Sequence, residues 1–426
     1  MMSAETLLRD MFDAAVAAAN PDLVVPPHLP EKPQGRVIVL GAGKASAAMA
    51  KAAEDKILQS WGLVPTGLVV TQYGAAVSCQ HIEIVEANHP VPDANGMDAA
   101  ERILAIAESA GENDLVLFLV SGGGSSLLPL PGKGLTLDDK QAINKALLKS
   151  GAAIHEMNVV RKHLSAIKGG RLAAAVYPAR LVTLGISDVP GDDFGTIASG
   201  PTIADPSTVA DAIDILGRYK ISLPPHIAKF LEQASAETPD PSSACFSNSQ
   251  STLVAKPQAS LEAAAEVAKR AGYTPLILGD AIEGEAQDVG LVMAGIAKQV
   301  RNYGQPAQPP LALISGGETT VSVNGPAGRG GRNTAFLLSF ANAADDMPGV
   351  SALACDTDGI DGTQDNAGAF YLPGDIALGR QAGRRAIDDL SGFDSYSFFE
   401  AINRLVMTGP TLTNVNDLRV ILIDPV

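Results

Sequence analysis

The chain of 426 residues carries 47 acidic against 31 basic residues, a net charge of −16, and is 46% hydrophobic but only 4% aromatic. That length suits two domains of roughly 200 residues, each able to bury its own core, and the acidic balance, with no compensating basic run, excludes nucleic acid as an expected partner. No apolar run approaches the ~20 residues that span a bilayer, and Cys79, Cys245 and Cys355 are odd in number and lack metal-ligand spacing, so no membrane partner is expected and a cytoplasmic, reducing location is.

The first twenty residues place Glu5, Asp10 and Asp13 among small apolar side chains, which predicts an amphipathic helix and not a signal peptide. After the proline-rich stretch 21–33, a strand at 37–40 turns through Gly41, Ala42 and Gly43 into an alanine-rich helix that starts near Lys44. Strands follow at 67–71, 82–86, 115–120 and 181–187, with helices near 95–109, 138–149 and 168–176. Strands separated by helices imply a mostly parallel sheet. The polar, turn-rich segment 237–248 marks the boundary between a domain 1–240 and a domain 241–426. Beyond it, strands near 252–255, 275–278, 311–315, 350–354 and 418–423 alternate with helices near 258–271, 284–303 and 332–344.

Two apolar strands run straight into glycine-rich turns, one in each half: SGGGSS at 121–126 and SGGE at 315–318. Such turns let backbone N–H groups converge on anions at the carboxyl ends of strands. Ser121, Gly122, Gly123, Gly124, Ser125 and Ser126 are therefore candidate phosphate or carboxylate contacts, as are Gly316 and Gly317, and the pair suggests a phosphate-bearing ligand held in a cleft between two domains.

The first turn, GAGKAS, starts like a dinucleotide fingerprint but does not complete it. Ser46 stands at the last position, and the next strand ends in Thr71, Gln72 and Tyr73 without an acid for a ribose. A phosphate-binding P-loop fails as well, because Ile38 occupies the place of its first glycine. Lys44 remains, a cation at a helix start where the dipole opposes it, which points to an anion. Arg332 follows GRGG into a helix with the same conflict of charge. Arg161, Lys162, His163, Lys168 and Arg171 form a local basic patch, in which an apolar stripe through Val159, Val160, Leu164 and Ile167 would orient one basic edge; a solvated helix face explains such a patch equally well. Asp188 and Asp192 follow a strand, as do Asp356, Asp358 and Asp361, and with Glu318 they offer carboxylates for magnesium or a hydroxyl.

Taken in order, the segments VLGAGKAS, ANHPVPD, SGGGSSLL, MNVVRKHLSAIKGGRLA, ISDVPGD with IASGPT, ISGGETT, GRGGRN and CDTDGIDG run from residue 39 to 362. In these the chain resembles the MOFRL-type glycerate 2-kinases, a family also labelled hydroxypyruvate reductase. The resemblance implies an α/β fold with a Rossmann-like N-terminal domain, a smaller C-terminal α/β domain with a mixed sheet, and an active site in the interdomain cleft. It implies ATP with Mg²⁺ phosphorylating D-glycerate at its 2-hydroxyl, and it matches the family's active-site lysine and arginine to Lys44 and Arg332. On this reading Lys44, Arg332, Asp188 and Asp358 are catalytic, Arg161 joins the glycine turns in binding substrate, and Glu318 and Asp192 hold metal. An oligomer is possible. The rival expectations are an NAD(P)H-dependent hydroxypyruvate reductase and a non-catalytic sugar-phosphate-binding module.

Overall fold

The computed structural model describes residues 3–189, 191–323, 325–344 and 346–425, so Pro190 of the ISDVPGD motif lies outside the described residues. The chain divides into two compact units, Pro21–Val254 and a second made of Met1–Asn20 with Ala255–Val426.

Six strands make the sheet of the first unit: β1 Val37–Ala42, β2 Thr66–Gln72, β3 Ile82–Ala87, β4 Leu115–Val120, β5 Arg180–Ile186 and β6 Ser249–Ala255. Their order is β3-β2-β1-β4-β5-β6, with β1 parallel to β2 and β4, β2 parallel to β3, and β4 parallel to β5. Every residue of β1 and β4 is buried, which is why both read as unbroken apolar runs. This order places a topological switch point between β1 and β4, where the connections leave in opposite directions along the sheet. Ligands of such sheets bind outside the carboxyl ends of the strands at that point. A separate helical cluster contains the helices Leu137–Ser150 and Ile154–His163, which bury Ile143, Leu147 and Val160 against Ile215, Leu216 and Phe230.

The second unit has strands β7 Thr274–Gly279, β8 Gly284–Glu285, β9 Leu311–Ser315, β10 Thr319–Thr320, β11 Val350–Asp356, β12 Gly368–Tyr371, β13 Leu405–Val406 and β14 Asp417–Ile423. Six of them form a mixed sheet in the order β13-β12-β11-β14-β9-β7, parallel only at β7–β9 among its pairings. Alternation along the strands sends Leu313, Ala352 and Ile421 to one face, covered by the helices Ala286–Tyr303 and Arg332–Ala344. Ile314, Leu353 and Val420 point to the other, covered by the helices Ala4–Ala18 and Pro257–Arg270.

The expected division at 240/241 is corrected in two respects. Residues 249–255 pair with β5 and complete the first sheet, so the units part after Val254. The N-terminal helix also belongs to the second unit: Leu7, Leu8, Met11, Phe12 and Ala15 share the cover of one face of the second sheet with the helix Pro257–Arg270, and Ser260 Oγ donates to Ala15 O at 2.8 Å. Leu8→Ala should therefore destabilise the second unit by about 2–5 kcal/mol through the cavity it leaves. Hydrogen exchange resolved by segment should show the loss in β9, β11 and β14 and not in β1 or β4. No helix among the described residues is long and apolar enough to cross a membrane.

Candidate active site

At the switch point the two glycine segments of the first unit interlock. The helix after β1 starts at Ser46, so Lys44 lies in the preceding turn, not on the first helical turn. The amides of that turn are consumed within the protein: Gly43 N donates to Val70 O, Lys44 N to Gly122 O, Ala45 N to Ser121 Oγ and Ser46 N to Gly43 O. Four of the amides on which a pyrophosphate would rest are thus taken up within the protein, which counts against the dinucleotide reading of GAGKAS. Ser121 is fully buried in this role, so its hydroxyl is structural and not a ligand contact.

The neighbouring turn is different. The amides of Gly122, Gly123 and Ser125 have no acceptor among the described residues, so three N–H groups remain for an anion. Gly123 sits at φ 79°, and a β-carbon there would stand 2.9 Å from the His89 ring and 3.4 Å from Cγ of Lys44. His89 and Lys44 thus flank the turn, which only glycine permits. Gly124 is needed for close packing on Ala198, and Ser126 Oγ is turned back to Gly123 O at 2.9 Å.

Beside this turn lies a cavity of about 230 Å³ bordered by His89, Gly123, Ser125, Lys140, Arg161 and Lys168. Arg161 forks onto Asn144 Oδ1 at 2.9 and 2.6 Å and onto Asn158 Oδ1 at 3.1 Å. Lys168 Nζ donates to Ser125 O at 2.7 Å and Ser125 Oγ at 3.0 Å, and Ser125 Oγ lies 2.9 Å from Ser199 Oγ. Lys140 Nζ donates to Leu130 O at 3.2 Å. None of the three forms an ion pair among the described residues; elsewhere in the patch Lys162 meets Asp205, His163 is a buried structural group between Val159 O and Glu237, and Arg171 donates to backbone carbonyls such as Ala236 O at 2.9 Å. The predicted stripe through Val159 and Ile167 does not form, because the helix ends at His163 and the chain turns, carrying Lys168 inward. Ala198 at φ 52° and Ser199 at φ 60° are held in the left-handed region beside this network, a strain typical of binding sites.

Desolvation, with Lys140 and Arg161 adding repulsion, drives Lys168 well below the usual lysine range. Desolvation and then the charges of Arg171 and Arg161 pull Lys140 down to about 7. The buried Lys168 and the partly buried Lys140 and Arg161, none in an ion pair among the described residues, make a site that an anion would stabilise. Because an anion favours protonated Lys140, binding should take up a proton above about pH 7 and weaken as pH rises through and beyond that value. Calorimetric titration with D-glycerate at pH 8 in buffers of different ionisation enthalpy should register this uptake, and Lys140→Met should reduce it.

In the second unit the arginine nominated as an anion contact is already paired. Arg332 lies 2.5 Å from Asp356, 2.8 Å from Asp417 and 3.3 Å from Glu318. Burial alone would lower its pKa, but the carboxylates of Asp356, Asp417 and Glu318 outweigh that and raise it. The helix N-terminus is filled too: Asp361 accepts the N–H groups of Asn333 and Thr334, both at 2.9 Å. Burial nevertheless raises the pKa of Asp361. Arg332 is thus the hub of a buried carboxylate network, and the free N–H groups expected around it are capped by protein.

The turn at 315–318 is likewise corrected. Gly316 N donates to Gly279 O at 2.8 Å, and a β-carbon at Gly317 would strike the backbone of Ile282, so these glycines serve packing. Asp358 accepts Ile360 N at 2.9 Å as a turn former. Asp188 follows β5 half-buried, and Asp192 has φ 59° in the same loop. The carboxylates fit a resident magnesium poorly. Among the described residues no three His, Cys, Asp or Glu side chains converge as ligands, and Glu318 is committed to Arg332. Sequence reasoning missed His89, Lys140, Asn144 and Ser199.

Residues 7–232 match the domain of unknown function DUF4147 and residues 311–417 the MOFRL family. An Agrobacterium vitis protein with a provisional hydroxypyruvate reductase name is 55% identical over 99% of this chain and 95% of its own. The D-glycerate 2-kinase of Thermotoga maritima is 40% identical over 98% of this chain and 97% of its own. A crystal structure of glycerate kinase from Thermotoga maritima superposes with a TM-score of 0.88 at 40% identity, covering 98% of each chain.

Proposed function

The chain belongs to the MOFRL-type glycerate kinase family, and on that premise we propose that it transfers the γ-phosphoryl group of ATP to the 2-hydroxyl of D-glycerate, releasing 2-phosphoglycerate and ADP. The observation that carries this reading is the cluster of Lys168, which is buried, with the partly buried Lys140 and Arg161, none in an ion pair among the described residues. A small hydroxy acid supplies the missing charge, and its size matches a cavity of about 230 Å³.

In this proposal Arg161 and Lys168 hold the glycerate carboxylate, with Lys140 tuning affinity through its proton. Ser125 orients the substrate through its hydroxyl. Lys44 and the amides of Gly122 and Gly123 stabilise charge on the phosphoryl group in transfer, the kind of electrostatic help this reaction mainly needs. Asp188, at the carboxyl end of β5, orients the 2-hydroxyl. Arg332 acts through the network it organises, fixing Asp356 and Asp417. Magnesium, when it accompanies ATP, neutralises phosphate charge, and no step here depends on protein ligands for it.

The reductase reading requires a dinucleotide pyrophosphate at a turn where the amides of Gly43, Lys44, Ala45 and Ser46 already have partners. An assay coupled to ADP release with D-glycerate, run beside NADH absorbance with hydroxypyruvate, separates the two. Turnover of ATP without NADH oxidation is the expected result, and NADH oxidation without ATP turnover would overturn it.

A further inference from the structure

We propose that Asn144 and Asn158 are positioning residues that make the first unit's site select a carboxylate over an uncharged group, an inference that rests on the kinase reading. Both fix Arg161 without neutralising it. Asn144, on the helix Leu137–Ser150, accepts Nε and Nη2 of the guanidinium on Oδ1 at 2.9 and 2.6 Å. Asn158, three residues before Arg161 on the helix Ile154–His163, accepts Nη1 on Oδ1 at 3.1 Å. Three of the five guanidinium N–H groups are thus used among the described residues, which leaves two for a ligand in the cavity that Arg161 and Asn144 border.

The second unit holds Arg404 and Arg384 differently, with carboxylates: Arg404 lies 2.9 Å from Asp375 and Arg384 2.7 Å from Asp389. An aspartate at 144 or 158 could accept the same bonds from Arg161, and neither asparagine's amide nitrogen has an acceptor among the described residues that aspartate would forfeit. What asparagine changes is the charge. A guanidinium already paired with a carboxylate has less attraction left for a second one, whereas amide oxygens orient the fork and leave its charge to the ligand. The same neutral chain continues to the other cation: Asn158 Oδ1 accepts Ser199 Oγ at 3.4 Å, Ser199 Oγ lies 2.9 Å from Ser125 Oγ, and Ser125 Oγ accepts Lys168 Nζ at 3.0 Å. Hydroxyls and amides thus hold both cations in place.

The test is steady-state kinetics at pH 6 on the full chain as wild type, Asn144→Asp and Asn158→Asp, with calorimetric binding of D-glycerate and of its neutral amide. At that pH Lys140, pulled down to about 7, is mainly protonated, so the introduced carboxylate is the change in charge that matters. Each aspartate should weaken D-glycerate binding and raise its KM by about ten- to hundredfold, the scale of one charged hydrogen-bonded contact, with little change in ATP KM or Tm. The amide should lose no affinity. Equal losses for the acid and the amide would make the asparagines merely structural and overturn the proposal. Asn158 is buried and Asn144 only partly so, and Asn144→Asp carries the test if Asn158→Asp does not fold. If the wild type phosphorylates D-glycerate and the variants keep its KM, this inference fails and the kinase reading stands. If the wild type neither binds D-glycerate nor releases ADP in its presence, both fail.

Discussion

Arg332→Met should lower the stability of the second unit by about 3–5 kcal/mol, because removing one partner of a buried ion network leaves the others uncompensated. Asp356 and Asp417 are 1% exposed, and Arg332 approaches them at 2.5 and 2.8 Å. Arg419 still reaches Asp417 at 2.6 Å, which limits the loss at that carboxylate. For a unit of this size the change corresponds to roughly 10 °C in Tm. Activity should fall as well, and adding Asp356→Asn should recover part of the Tm by removing one of the buried negative charges. An Arg332 that served only as a phosphate clamp would behave otherwise: its loss would leave Tm near wild type, and Asp356→Asn would recover nothing.

Lys44→Ala should show the opposite signature, a fall in kcat of about 10²–10⁴-fold with little change in fold. The backbone of Lys44 is fixed independently of its side chain, since its N–H donates to Gly122 O at 2.9 Å and its carbonyl accepts Thr71 Oγ1 at 3.3 Å. The side chain is only partly buried and runs along Gly123, beside the amides left open in that turn. On the proposed reading its ammonium stabilises the charge that gathers on the transferring phosphoryl group. Single-turnover rates with saturating ATP and D-glycerate, beside thermal melts, would resolve the two variants. Near-normal turnover by Lys44→Ala would remove it from the mechanism.

Much of the fold is legible because buried parallel strands announce themselves. LVLFLV at 115–120 and VIVL at 37–40 are apolar throughout, since both faces are covered. The short strands β12 and β13 are not legible, as four and two residues carry too little period. Nor does the stripe of the N-terminal helix say which sheet it will cover: Leu8 and Phe12 would suit either core, and only the tertiary contacts assign them.

The site is legible where chemistry is concentrated locally. Arg161 and Lys168 stand out as basic residues in an acidic chain, and the run of three glycines marks the open amides. Lys140 does not stand out, because an amphipathic helix with Asp138 and Asp139 before it reads as solvated; only the fold of the helical cluster turns that lysine toward the cavity. His89 lies in a loop, and its approach to Gly123 depends on β3 delivering it to the same sheet edge. Arg332 was visible, but its meaning was not. Its partner Asp417 is 85 residues away, so the charge conflict at the helix start is resolved inside the protein by a strand that sequence cannot pair with it.

The most direct measurement is a crystal structure of the chain grown with D-glycerate. The account predicts the carboxylate of glycerate against Arg161 and Lys168, with the 2-hydroxyl directed toward Lys44 and the open amides of Gly122 and Gly123. Glycerate held instead by Arg332 and Glu318, with nothing bound between Lys140, Arg161 and Lys168, would contradict it.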